Sequence, residues 1–252
     1  MVIIGKIIFG MGYLMNNMIA ILQARSTSSR LPGKVLKNIL GKPMLLHQIE
    51  RILQAKKIDK LVVATSSDSS DDNIFNMCQS HNITCYRGDL QDVLDRFYNA
   101  AKYYSAKYVI RLTGDCPLTD PKLLDEIIKF FLDGNFDYAS NTIERTFPDG
   151  LDIEIFTFKC LTEAWLNGKG QYQREHVTPY IYQNSQIYKL GSFKNSQNLS
   201  NLRWTVDEPE DFILIEQIYK DLYNINPGFD MYDVLKLIKQ KPDLLKINAN
   251  LH

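Results

Sequence analysis

Short apolar runs alternate with amphipathic stretches through the first two-thirds of the chain. Residues 18–22, 60–65, 84–86, 108–112 and 138–141 are compact and rich in apolar residues, and they read as strands. Between them, residues 43–56, 71–81, 91–105 and 121–132 repeat apolar positions at helical spacing. In the first of these, Met44, Leu45, Ile49, Ile52 and Leu53 fall near one face. Asp71 and Asp120 are placed as N-caps, with Pro121 in a favoured first-turn position. Alternating strand and helix units imply a largely parallel sheet covered on both faces. Ligands of such sheets bind beyond the carboxyl ends of the strands. The loop from Gln23 to Lys34, the turn from Thr65 to Asp68 and the segment Thr113 to Asp115 therefore share one rim.

After Asn141 the rhythm changes. Residues 150–156 alternate as a strand, 158–166 and 173–182 read as helices, and 187–193 and 202–206 as strands. Two helices follow at 209–223 and 231–239. No repeat, low-complexity tract or flexible linker divides the chain. The organisation predicted is one domain over 18–240 with a substrate-side subregion at about 142–200, a C-terminal tail at 241–252 and an N-terminal extension at 1–17. The extension is apolar with a single Lys, lacks the basic start and small-residue cleavage site of a signal peptide, and is too interrupted by Gly to span a membrane. It is read as dispensable, compatible with a mis-assigned start and with residues that are not translated at all.

Charge and cysteine content narrow the function classes. The 252 residues carry 29 basic and 29 acidic side chains. A general nucleic-acid or membrane-surface binder would show a basic excess. A polyanionic ligand must therefore be held by local charge and a metal. Cys78, Cys85, Cys116 and Cys160 form no C-x-x-C pair, which disfavours a disulfide framework and a thiolate metal site. Reduced thiols and the absence of a leader predict a cytoplasmic protein without membrane insertion.

The chemistry concentrates in three places. Arg25, Arg30 and Lys34 sit in a loop of small and hydroxyl residues directly after the first strand. Guanidinium forks, a mobile ammonium and free backbone N–H groups suit a polyphosphate, although a solvated basic turn would carry the same residues. The G-x-x-x-x-G-K-[ST] spacing of a Walker loop is absent. As a loop cation, Lys34 is expected to be exposed and to contribute little to folding. Asp115, in Arg111-Leu112-Thr113-Gly114-Asp115-Cys116-Pro117, ends one strand, and Asp207, in Thr205-Val206-Asp207-Glu208-Pro209, ends another. Two rim carboxylates opposite a cationic loop fit Mg²⁺, which takes one or two protein carboxylates plus phosphate oxygens; helix capping is the structural alternative for each. Asp152 and Glu154 lie two apart on a predicted strand and so face one side, either an acceptor or solvent. Arg174 and His176 are candidates for an acceptor carboxylate or phosphate. The aromatics, Trp204 and Tyr172 included, are assigned to the core, and His47 and His81 to helix surfaces.

These motifs resemble the sugar cytidylyltransferases, in particular the spore-coat-polysaccharide (SpsF-like) branch, related to CMP-sialate and CMP-Kdo synthetases. The matching stretches are Gln23 to Lys34, Gly114 to Pro117, Phe147 to Glu154, Arg174 to Tyr182 and Thr205 to Asp211, in order over roughly 18–239. The resemblance implies a GT-A-like (Rossmann-like) α/β nucleotidyltransferase fold, a mostly parallel mixed sheet flanked by helices, with CTP as substrate and Mg²⁺ as cofactor. It puts Arg25, Arg30 and Lys34 on the triphosphate, Gln23 and Ala24 at the base-facing end, and Asp115 and Asp207 on the metal. It further puts Thr65, Ser66, Asp68 and Gly88 at the nucleoside. The expected reaction moves CMP from CTP to an acidic or phosphorylated sugar for surface polysaccharide or glycan biosynthesis. Partners are CTP and a small sugar acceptor, with a homodimer compatible and no nucleic acid. A GT-A glycosyltransferase using a nucleotide sugar, or a non-catalytic nucleotide-binding module, would share much of this pattern.

Overall fold

A computed structural model describes residues 17–251, so the extension at 1–17 lies outside the described residues apart from Asn17. The first strand, β1 (Met18–Gln23), is followed by a small antiparallel pair, β2 (Asn38–Ile39) and β3 (Lys42–Pro43). Next come helix α1 (Met44–Ile52), β4 (Lys60–Ser66), α2 (Asp72–Ser80), β5 (Cys85–Gly88), α3 (Val93–Tyr103), β6 (Tyr108–Thr113) and α4 (Pro121–Asp133). The remainder is β7 (Tyr138–Ser140), β8 (Glu154–Thr157), α5 (Phe158–Asn167), α6 (Gln171–His176), α7 (Pro179–Tyr182), β9 (Leu190–Ser192), α8 (Pro209–Leu222) and α9 (Met231–Gln240).

Seven strands form one sheet in the order β5-β4-β1-β6-β8-β7-β9. β1 pairs in parallel with both β4 and β6, and β4 with β5, whereas β8 runs against β6 and β7. The alternating pattern predicts the parallel strands β5, β4, β1 and β6, and the antiparallel β8 makes the sheet the mostly parallel mixed one that the resemblance implies. β1 is central and apolar on both sides: Met18, Ala20 and Leu22 join one hydrophobic cluster, and Ile19 and Ile21 the other. Each large aliphatic side chain so buried is worth roughly 1.5–3 kcal/mol, and two covered faces explain the uninterrupted apolar run. Asp120 caps α4, accepting from the N–H groups of Lys122 and Leu123, with Pro121 in the first turn.

Several expectations are corrected. Residues 202–206 form no strand: Leu202, Trp204 and Val206 are buried, but the backbone N–H groups of Trp204 and Thr205 donate to the Asp149 carbonyl and that of Val206 to the Asp115 carbonyl. Gly150 permits this approach, since a Cβ there would lie 2.4 Å from the Thr205 nitrogen, and its φ of 107° suits glycine. His47 is buried, not on the surface; its Nε2 meets the Ile39 carbonyl and its ring packs on Tyr219 and Tyr223. The stretch set apart as a tail packs as well, with Leu244 and Asn248 buried. Among the described residues, no helix is long and apolar enough to cross a membrane.

Candidate active site

The carboxyl ends of β1, β4 and β6 converge on the loop from Gln23 to Lys34. Backbone bonds fix its entrance: Ala24 N–H donates to the Ala64 carbonyl at 3.1 Å, and Gly114 N–H to the Gln23 carbonyl at 2.8 Å. Within the loop, Gly33 N–H donates to the Ser26 carbonyl at 2.9 Å. Asp71, expected as the N-cap of α2, instead turns its buried carboxylate onto the loop. It accepts from Ser26 N–H at 2.7 Å, Ser66 N–H at 3.1 Å and the Ser66 hydroxyl at 2.5 Å. Burial alone would raise this carboxyl, but these hydrogen bonds outweigh it and hold the pKa below the ordinary range. Asp71 thus fastens the phosphate-type loop to the end of β4.

Asp115 and Asp207 line a cleft of about 380 Å³ together with the loop residues Gln23, Ala24, Arg25, Arg30 and Lys34. Lys34 is not the exposed cation expected from its loop position: it is 8% exposed. Its ammonium donates to the Val206 carbonyl at 2.7 Å and Asp207 Oδ1 at 2.9 Å, with Asp115 Oδ2 at 3.4 Å. Asp207 also receives Arg30 at 3.1 Å and Arg203 at 3.0 Å. Burial would push the Asp207 carboxyl up, but Lys34, Arg203 and Arg30 prevail and hold it below the ordinary range. Arg25 reaches Glu175 at 3.8 Å and stays half-exposed. Asp115 and Asp207 offer carboxylate oxygens of the kind a hard divalent cation takes, but the Lys34 ammonium stands between them, and among the described residues no three His, Cys, Asp or Glu side chains gather as a metal site.

A second cleft of about 330 Å³ adjoins the first, and Arg111, Thr113 and His176 line both. Asp152 precedes β8 instead of lying within it, yet both Asp152 and Glu154 line this second cleft. Arg145 holds Asp152 through two bonds of 2.6 and 2.8 Å. Glu154 is buried, paired with Arg111, and accepts from the hydroxyls of Tyr138 and Thr178 at 2.6 Å each. Tyr172, assigned to the core by sequence, is 57% exposed at the rim of this cleft. The helix expected over 173–182 breaks at Val177, whose φ of 71° and ψ of −56° accompany a 2.8 Å bond from Thr178 N–H to the His176 carbonyl. Such a γ-turn is rare and strained, the more so at a β-branched residue. It sets His176 and Thr178 side by side at the cleft.

Other expected site residues fall elsewhere. Thr65 and Ser66 are buried beneath the loop, and Asp68 is an exposed cap accepting from Ser70 N–H at 2.9 Å. Gly88 packs against Arg96, whose Cγ would lie 3.0 Å from an added Cβ. Arg174 turns away from both clefts. It pairs with Asp92, the N-cap of α3, through Nε at 2.9 Å, and with the Trp165 carbonyl at 3.0 Å. Arg174→Ala is therefore expected to lower stability by about 1–3 kcal/mol and leave both substrate KM values within about twofold. A melting curve beside steady-state kinetics tests this; a raised acceptor KM at unchanged stability would return Arg174 to the acceptor site.

The fold and the acid–cation cleft at the sheet's carboxyl rim define an α/β nucleotidyltransferase. The chain belongs to the cytidylyltransferase family, which it matches over residues 19–246. It is 39% identical over 236 residues to an uncharacterized protein of Methanocaldococcus jannaschii, covering 92% of this chain and 94% of that one. It is 31% identical to the spore coat polysaccharide biosynthesis protein SpsF of Bacillus subtilis, covering 91% and 97%. The solved structure of a cytidylyltransferase from Leptospira borgpetersenii superposes with a TM-score of 0.86 at 32% identity, over 90% of this chain and 96% of that one.

Proposed function

We propose that this protein transfers CMP from CTP to an acidic or phosphorylated sugar, releasing pyrophosphate, in the cytoplasmic stage of surface polysaccharide or glycan assembly. The observation that carries this reading is the junction of the two clefts at Arg111, Thr113 and His176. A nucleotide in the first and a sugar in the second meet there. Arg25, Arg30 and Lys34 bind the triphosphate, and the backbone at Gln23 and Ala24 borders the base. Thr65 and Ser66 act from below, through the loop fastening at Asp71. Asp152, His176 and the hydroxyls beside them face the acceptor, while Glu154 orients Arg111.

Asp115 and Asp207 would hold Mg²⁺, which when bound offsets charge on the phosphate oxygens. In the step itself the acceptor oxygen bonds to the α-phosphorus and the α–β P–O bond breaks. Pyrophosphate takes the electron pair, and the acceptor proton leaves to solvent. The chain's own contribution is positioning plus electrostatic stabilisation of charge on the departing pyrophosphate.

A sugar panel assayed for CTP-dependent pyrophosphate release tests the proposal. Release with an acidic or phosphorylated sugar, abolished by a chelator and restored by Mg²⁺, is expected. Release with neutral sugars alone would overturn the acceptor class. A glycosyltransferase consuming a nucleotide sugar would release no pyrophosphate.

A further inference from the structure

The nucleotide cleft has two unlike ends. Lys34, Arg30 and the two aspartates crowd the end beside β6, where a triphosphate belongs. The other end lies toward β4 and β5, and there Arg96 of α3 lines the cleft. Arg96 is 1% exposed. Its Nη1 donates to the Asp89 carbonyl at 2.8 Å, its Nε has no partner, and no carboxylate pairs with it among the described residues. A buried guanidinium with a single backbone acceptor and no paired carboxylate is costly to maintain, and burial pushes its pKa below the ordinary value. The fold nonetheless makes room for it. A Cβ at Gly88 would lie 3.0 Å from Arg96 Cγ and 3.2 Å from its Cβ. A cation kept in this condition beside a ligand cleft points to a ligand acceptor.

We propose that Arg96 donates to the acceptor edge of the cytosine ring and so determines which base the enzyme takes. Cytosine presents O2 and N3 as neighbouring acceptors, whereas uracil carries an N–H at N3. A donor fixed at that edge favours cytosine, and a site built to bond it rejects the mismatched base. The inference rests on the proposed use of CTP and deepens it by naming the group that reads the base.

Calorimetric titration with CTP, UTP and inorganic tripolyphosphate tests it on the wild type, Arg96→Gln, Arg96→Lys and Gly88→Ala. Arg96→Gln is expected to weaken CTP binding by about tenfold or more, the loss of one charge-assisted bond. Tripolyphosphate affinity stays within about twofold, and the preference for CTP over UTP collapses. Gly88→Ala keeps the charge but crowds the arginine stem, so it shifts CTP binding in the same direction. Should Arg96→Gln fail to fold, Arg96→Lys and Gly88→Ala carry the same comparison. Equal losses for CTP and tripolyphosphate would make Arg96 a phosphate ligand and overturn the proposal, as would unchanged CTP binding in every variant. A wild type that binds tripolyphosphate yet shows no preference for CTP would instead overturn the cytidylyl reading on which this one stands.

Discussion

Lys34→Ala is expected to reduce CTP-dependent pyrophosphate release by about 10²–10³-fold, the scale of removing one positioned electrostatic group. The same variant should lose about 1–3 kcal/mol of stability, because Lys34 is no exposed loop cation. Its ammonium joins the Val206 carbonyl to Asp207 and approaches Asp115. Removing it leaves Asp115 and Asp207 facing each other, with Arg30 and Arg203 still neutralising only the second. Lys34→Arg should not rescue turnover, since a planar fork does not replace a point charge between a carbonyl and two carboxylates. Steady-state kinetics at saturating CTP, read beside a melting curve, decide the matter. Lost stability with unchanged kinetics would make Lys34 a structural bridge only.

What the sequence disclosed, and what it hid, follows from how each residue meets its partners. β1 and β4 are legible because strands buried on both faces read as near-continuous apolar runs, and β6 because Arg111 alone interrupts Tyr108 to Leu112. The cationic loop is legible because Arg25, Arg30 and Lys34 fall within the ten residues 25–34, directly after β1. Residues 202–206 alternate apolar Leu202, Trp204 and Val206 with polar Arg203 and Thr205 as a strand would, so pattern alone predicts one. Their hydrogen bonds go instead to Asp149 and Asp115, which lie far away in sequence. Arg174 carries a promising motif, yet its partner Asp92 lies 82 residues earlier, and only the packing of α6 on α3 brings them together. Asp71 looks like a helix cap because its position is that of one; only the path of the loop shows its carboxylate bound to Ser26. Arg96 was open to detection, since it interrupts the stripe of Val93, Phe97 and Ala100 with a charge on the buried face of α3. A charge in an apolar stripe is the signal that periodicity counts as noise.

Asp211→Asn should produce the largest loss of stability, about 3–5 kcal/mol, the range for removing one partner of a buried ion pair. At this chain length that corresponds to a melting point lower by roughly 10 °C. The carboxylate is fully buried. It accepts from Arg203 at 3.1 and 3.0 Å, from Asn248 at 2.9 Å, and from the backbone N–H groups of Asp207 and Glu208 at 3.0 Å each. An amide keeps the shape but presents one acceptor and an NH₂ group to a set made wholly of donors. Burial would raise the Asp211 carboxyl, but Arg203, Asn248 and the two backbone groups outweigh it and hold it below the ordinary value. The unfolded chain, with a carboxyl pKa of about 3.9, then binds more protons than the native state below roughly pH 5. This contribution is complete above that pH and is lost as pH falls through the native-state pKa. The Asn variant lacks it, so its stability should fall less steeply with acid than the wild type's, and the two curves should converge at low pH. Turnover should fall too, because the N–H of Asp207 is one of the bonded groups and its carboxylate shares Arg203. Denaturation curves from pH 3 to pH 7 measure the stability loss and its pH dependence, and steady-state kinetics measure the turnover. Parallel curves at every pH would show that the buried charge of Asp211 does not supply this stability.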